Sequence, residues 1–298
     1  IQTVVIAIGS GFVYAIAKYV LKNKNLSLAF GIIFLLNPAV HFTNLYDFHA
    51  ITLATTFLLA AFYFICKNKY IFALLFLFLA AFTKEQVWLI VALFGLYFCL
   101  SKKKLFGFIL FVFSISVFYY LIWHAIPNAL GDNHFAISFY SDFGNSPTVI
   151  VKNIFLDPLK TISFIMQKGQ LMYLKDLFLP VGFMPIFAFP FIIFAIPDLL
   201  INLLSKNANL HQIYYQYSAS ITPFIFISTI FAIKNVKKWF PKIQNSVFIG
   251  YIAFFTLLSA YYFGPLPGAK KPNIAMFTKQ LPERKAIDNF LYTISPKY

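Results

Sequence analysis

The sequence predicts an all-α fold, a polytopic bundle of membrane-spanning helices, and three observations carry that prediction. Of its 298 residues, 60% are hydrophobic and only 11% charged, with 40 Phe; a soluble domain carries about 25% charged residues. Apolar runs of about 20 residues, each long enough to cross a hydrocarbon core about 30 Å thick, recur along the whole chain. The charges between the runs are sorted, lysines in one set of connections and acids in the other. Runs throughout the chain exclude a soluble domain with one anchor, and also a secreted protein behind a signal peptide.

The runs and their breaks give the elements in order. Span 2–21 ends at “KNKN” (22–25), and span 26–42 ends at the polar tip “TNLYDFHAI” (43–51). Span 49–66 stops at “KNK” (67–69), 70–83 at “FTKEQVW” (82–88), and 87–101 at “SKKK” (101–104). The sixth run, 105–124, leads into the longest polar segment, 125–176. The stretch 177–205 holds 29 residues with Pro180, Pro185, Pro190 and Pro197. That is too long for one untilted span, and a division at Pro190 into 177–189 and 190–205 keeps the charges consistent. Runs 221–234 and 245–263 complete the set, with “KNVKKWFPK” (234–242) between them. The expectation is about ten spans in one membrane domain over 1–298, with 125–176 and 264–298 as external segments. The chain opens on Ile1 inside an apolar run and stops at “TISPKY”, so a fragment lacking at least one upstream segment is expected.

Charge then orients the bundle. The four connections 22–25, 67–69, 101–104 and 234–242 hold 11 Lys and no acid, whereas the short connections opposite hold only Lys84 and Lys206. By the positive-inside rule the first set is cytoplasmic. The net charge of +15 then reflects topogenic lysines facing anionic headgroups and calls for no nucleic acid. On the other side gather Asp47, Glu85, Asp132, Asp142, Asp157, Asp176, Glu283 and Asp288, with Asp198 alone inside a span. His41, His49, His124, His134 and His211 lie on or next to that side. Carboxylates and imidazoles are the groups of acid–base and metal chemistry near neutral pH, so an active site is expected on the extracytoplasmic face. Cys66 and Cys99, the only cysteines, fall at cytoplasmic helix ends, which argues against a disulfide or a cysteine metal site.

Four segments could carry chemistry. In “LYDFHA”, Asp47 could fix the His49 tautomer or share a cation with it, or it could simply N-cap the third span. In “FTKEQVW”, Lys84 and Glu85 either neutralise each other at a tight turn or contribute to a site, since two full charges between short apolar runs are expensive. In “LDPLKTISFIMQKGQLMYLKD”, Asp157 is an N-cap and Pro158 stands at N1. Leu159, Ile162, Ile165 and Met166 then share one face, as in an interfacial helix or one packed on the bundle. In “SKNANLHQIYYQYSAS” (205–220), Lys206, His211, Tyr215 and Tyr217 could hold a phosphate or a sugar, with an interfacial aromatic belt as the alternative. No P-loop, dinucleotide fingerprint, HExxH or CxxC pattern is present.

The combination of “NLYDFHAITLATTFLLAAFYF”, “FTKEQVWLIVALFGLYF”, “PVGFMPIFAFPFIIFAIPDLLINLLS” and “YQYSASITPFIF” resembles the membrane-protein family labelled domain of unknown function 2079. That family is similar to the GT-C glycosyltransferases, which move sugars from polyprenyl-phosphate donors on the outer face of the membrane. The resemblance implies a GT-C-like bundle in a multi-pass plasma-membrane protein, with the primary acid in a first external loop upstream of this chain. It puts Asp47 in the second external loop as acceptor or metal contact, with His49 as its partner and Glu85 with Lys84 as a second polar anchor. Lys206, His211 and Tyr215 or Tyr217 would hold the donor phosphate, with Mg or Mn as the implied cation. The rival readings are a permease for a lipid-linked component and a non-catalytic scaffold.

Overall fold

The computed structural model describes residues 1–101, 103–131, 135–273, 278 and 283–294. Asp132 and His134, two of the sequence candidates, lie outside the described residues. Every regular element among the described residues is helical.

Helix α1 (Gln2–Leu21) stops at Lys22, whose φ of 52° breaks the ladder. Asn23 opens α2 (Lys24–Leu36) by accepting from the Leu26 amide at 2.8 Å, an ordinary N-cap. Asn37 repeats the device for α3 (Pro38–Leu45), and the predicted 26–42 run is thereby bent by 46°. Helices α4 (Ile51–Cys66), α5 (Tyr70–Ala81), α6 (Val87–Cys99) and α7 (Lys104–Tyr120) come next as two hairpins. A single π turn (Leu121–Ala125) carries α7 into α8 (Ile126–Leu130).

Four helical runs among the described residues are long and apolar enough to cross a membrane: Gln2–Leu21, Lys104–Leu130, Met184–Leu203 and Asn245–Phe263. The bent pair α2–α3 makes a fifth if it is one span. Part of the shortfall from ten has a geometric cause. Helices α4, α5 and α6 hold 16, 12 and 13 residues, which at 1.5 Å per residue reach only about 18–24 Å.

Helices α9 (Pro147–Leu156) and α10 (Pro158–Ile165) fill the long polar segment. Asp157 caps α10 as the sequence predicts, accepting from the Lys160 amide at 3.0 Å. Leu159 (79% exposed), Ile162 and Met166 point off the bundle, the orientation of a helix lying in an interface. The predicted helix ends early, however. The chain breaks at Met166–Gln167 and restarts as α11 (Lys168–Phe178).

The stretch 177–205 departs most from expectation. The chain reverses at Gly182 (φ 60°) and Phe183 (φ 55°), not at Pro190. Residues 175–182 run antiparallel to α14 (Asn245–Phe263): Lys175 lies over Phe263, Thr256 bonds the Pro180 carbonyl, and Tyr251 bonds that of Gly182. Beyond the turn, Met184–Ala195 is 3₁₀ in two segments, kinked at Ala188 (φ −145°, ψ 44°), and continues into α12 (Ile196–Leu203). It runs antiparallel to α13 (Thr222–Trp239), with Phe191 stacked on Phe231 at 4.0 Å and Phe194 on Phe224 at 5.5 Å. The short helix α15 (Arg284–Thr293) closes the described chain.

The prolines explain the 3₁₀ geometry and its partners. In a 3₁₀ ladder each N–H serves the carbonyl three residues back, so Pro185 and Pro190 leave the carbonyls of Gly182 and Phe187 without a donor. The Tyr251 hydroxyl takes the first at 2.9 Å and the Asn235 side chain takes the second at 2.9 Å. Ser228, fully buried, bonds the carbonyls of Ala188 at 2.8 Å and Pro185 at 3.1 Å.

Helices α6 and α7 meet backbone to backbone at Gly95 and Gly107. A Cβ on Gly107 would fall 2.4 Å from the Cys99 nitrogen and 2.6 Å from the Gly95 carbonyl oxygen, the small-residue contact by which membrane helices approach closely. At one end of the bundle Lys67 lies over Tyr19 at 4.7 Å, and Lys103 over Tyr70 at 4.2 Å. The α3–α4 and α5–α6 connections and the 204–221 loop are at the other end.

Two outcomes check this architecture. Gly107→Leu should separate α6 from α7 and abolish the monodisperse detergent-purified form, whereas Gly11→Leu, whose Cβ would meet nothing within 4 Å, should leave it intact. Tyr251→Phe with Asn235→Ala should cost about 1–3 kcal/mol for each stranded carbonyl, seen as a lower thermal midpoint; an unchanged midpoint would contradict the proline account.

Candidate functional site

The tip between α3 and α4 is held by the first turn of α1. The Gln2 side-chain amide reaches the carbonyls of Thr43 (3.0 Å), Asn44 (2.9 Å) and Tyr46 (3.2 Å). Thr52 donates to the Gln2 carbonyl oxygen at 3.0 Å. Gln2 is buried, so a single side chain fixes the tip's backbone.

Within that tip Asp47 does not cap a helix, contrary to the structural reading of the sequence. Helix α4 begins at Ile51 with Ala50 at its N-cap and no side-chain cap, which leaves the exposed Asp47 carboxylate uncommitted to the helix. His49 Nδ1 lies 2.9 Å from the Asp47 backbone carbonyl. A carbonyl only accepts, so Nδ1 carries a proton, and the tautomer this selects is the one with its lone pair on Nε2. The His49 ring also packs 5.3 Å from that of Tyr46.

The 204–221 loop folds onto this tip. Tyr46 meets Tyr215 edge-on at 5.3 Å, Phe42 meets Tyr214 at 4.8 Å, and Tyr215 lies 6.1 Å from Tyr217. Thr55, one turn inside α4, bonds the Ala219 carbonyl at 2.8 Å. Two segments 160–170 residues apart in sequence thus form one aromatic floor beside His49.

A second polar group lies behind that floor. Asp198 is 2% exposed, its Oδ2 accepts from the Ser220 hydroxyl, and its Oδ1 accepts no hydrogen bond from the described residues. Glu85 and Lys84, paired with each other at 3.8 Å, lie within electrostatic reach of Asp198. Four residues on, Asn202 donates to the Tyr173 hydroxyl at 2.9 Å and the Tyr217 carbonyl at 3.0 Å. Tyr140 donates to the Ile201 carbonyl at 2.9 Å. Burial, reinforced by the charges of Asp198 and Glu85, raises the Tyr140 pKa. Burial also raises Tyr217, with a contribution from Tyr46. Both phenols therefore remain protonated donors at neutral pH, and Tyr217 joins the His49 floor to the Asp198 group.

The other candidates find separate partners. Lys206 forms a 2.9 Å ion pair with Asp142. His211 lies against Gly169 and the Asn202 backbone. Burial, partly opposed by the Asn202 carbonyl, lowers its pKa, so the ring is neutral at neutral pH. Lys206, His211 and Tyr215, close in sequence, thus each contact a different partner. Among the described residues no three His, Cys, Asp or Glu side chains converge as a metal site, so Asp47 offers a cation a single carboxylate.

Sequence reasoning tied Asp198 only to the permease reading, as its ionisable residue near the midplane, and assigned no role to Asn202, Ser220, Tyr140 or Gln2. A signal was present: in “PDLLINLLS”, Asp198 and Asn202 stand four apart, on one helical face of an otherwise apolar run. Asp198 also lies beside Ser220, two residues before α13 begins, and so at the tip end of the bundle rather than at its middle.

No curated protein and no solved structure matches the chain. The family model described as “Predicted membrane protein (DUF2079)” matches residues 1–279. The mean hydropathy of +0.77 and the long apolar helices agree with that description, and the chain belongs to this family of integral membrane proteins.

Proposed function

We propose that this protein is a GT-C-type glycosyltransferase, moving a sugar from a polyprenyl-phosphate donor at the extracytoplasmic face of the plasma membrane. In this reading α4, α5, α6, α13 and the 168–182 arm also cross, completing a GT-C-like bundle of about ten spans. The observation that carries it is the meeting of His49 with the Tyr46–Tyr215–Tyr217 floor, at the end of the bundle away from the lysine-rich connections. Aromatic faces suit a pyranose ring, and an imidazole with a free Nε2 suits a hydroxyl that must lose a proton.

The chemistry is a displacement at the anomeric carbon. The acceptor oxygen forms the new C–O bond, its proton passes to His49 Nε2, and the bond to the lipid phosphate breaks with its electron pair on the leaving phosphate. Asp47 orients the acceptor hydroxyl. The Lys84–Glu85 pair and the Tyr217 hydroxyl anchor the donor, while His211 and Lys206 support the loop that carries Tyr215. A divalent cation, Mg or Mn, would use Asp47 as one ligand, take the others from donor phosphate and water, and neutralise charge on the leaving group. A permease would place its ionisable residue near the bilayer midplane; the level of Asp198, beside Ser220, does not favour that alternative.

Transfer of radiolabelled sugar from a polyprenyl-phosphate donor, by the full chain in nanodiscs, is the test. His49→Ala should lower the rate by about a hundredfold or more and Asp47→Ala should lower it as well, with thermal midpoints unchanged. Undiminished transfer by both variants would remove the assigned roles, and no transfer to any hydroxyl acceptor would remove the activity. For sidedness, Phe48→Cys in a Cys66→Ser, Cys99→Ser background should react with an impermeant maleimide on intact cells. Labelling only after lysis would invert the orientation.

A further inference from the structure

At the lysine-rich end, α1, α4 and α13 enclose a depression of about 850 Å³, within the size range of small-ligand sites. Lys18, Lys22, Lys67 and Lys234 line it together with Tyr19 and Tyr63, and no carboxylate is among its lining residues. None of the four lysines forms an ion pair with a carboxylate of the described residues. They come from sequence positions as distant as 18 and 234, so the fold, not a local charge run, assembles the group.

Lysines at helix C-termini have an ordinary explanation in topology and the helix dipole. That explanation requires no shared concavity. Here four exposed lysines from three helices line one, and the Lys67 ammonium, at the end of α4, reaches across to α1, 4.7 Å from the Tyr19 ring, and lies 5.8 Å from that of Tyr63. Lys234 lies 5.8 Å from Phe231 and Lys18 lies 5.7 Å from Tyr14, both rings also lining the depression. Aromatic faces thus hold several like charges around one space, and their mutual repulsion falls when an anion enters.

We propose that this depression binds a phosphate-bearing anion, supplied by an anionic phospholipid headgroup or by a soluble phosphate. Several ammonium groups and tyrosine hydroxyls around one concavity suit a phosphate monoester or diester. The proposal is independent of the chemistry at the opposite end.

The test uses the full chain, delipidated in detergent. Native mass spectrometry measures retention of phosphatidylglycerol against phosphatidylcholine, and calorimetry measures binding of inorganic phosphate and pyrophosphate. Lys67→Gln with Lys234→Gln should weaken binding of the anion about thirtyfold, which is about 1 kcal/mol for each lysine at a tenfold loss per 1.4 kcal/mol. The control, Lys103→Gln with Lys104→Gln, removes the same charge from the same end outside the depression and should change binding less than threefold. Phosphatidylglycerol binding with this dependence assigns the lipid source, and phosphate or pyrophosphate binding with it assigns a soluble one. Equal losses in both double variants would mean diffuse surface attraction and would overturn the site, as would binding of none of the three anions. A thermal midpoint within a few degrees of wild type shows that each variant is folded.

Discussion

Inside a bilayer no water is available to satisfy a backbone carbonyl, so each one freed from its ladder must find a donor in the protein. This protein concentrates that demand in residues 180–190, where three prolines remove amide donors from one apolar stretch. The donors come from α13 and α14, through Asn235, Ser228, Tyr251 and Thr256. Other interhelical contacts of the bundle are mostly apolar and interchangeable in kind. These are directional and fix the register of two helices against an irregular strand of chain.

The tip-end cluster inherits that register. Because Met184–Ala195 is locked against α13, α12 arrives with Asp198 at Ser220 and Asn202 at the Tyr217 carbonyl. The 204–221 loop is then pinned at both ends and presents Tyr215 and Tyr217 to the α3–α4 tip. Gln2 fixes the other half by tying that tip to α1. Two independent clamps therefore define one aromatic floor, and a slip of one residue in either would separate Tyr46 from Tyr215.

Much of the linear organisation was legible in the sequence. Apolar runs gave helices at nearly the expected limits, Asp157 and Pro158 started α10, and the lysine connections converged on one end. The illegible part depends on partners. Pro190 looked like the point of reversal because a division there kept the charges consistent, but 3₁₀ geometry with a kink at Ala188 accommodates it once side chains from α13 serve the carbonyls. The true turn sits at Gly182–Phe183, and Phe183 gives no local cue for a positive φ. Asp47 looked like a cap because it precedes an apolar run, yet α4 starts too late for it. Lys206, His211 and Tyr215 looked like one set because they are close in sequence, whereas each contacts a different partner, Asp142, Gly169 and Tyr46 in turn. Conversely, periodicity marked Asp198 and Asn202 as facing one way, but only the fold supplies Ser220 and Tyr173.

The 3₁₀ run also changes the reach of its segment. A 3₁₀ helix rises about 2.0 Å per residue against 1.5 Å in an α-helix, so residues 189–195, beyond the kink at Ala188, cover about 14 Å instead of about 10 Å. The same number of residues thus carries the chain further before α12 begins. Asp198 and Asn202 are thereby delivered to the tip-end loop, where they are buried against Ser220 and the Tyr217 carbonyl.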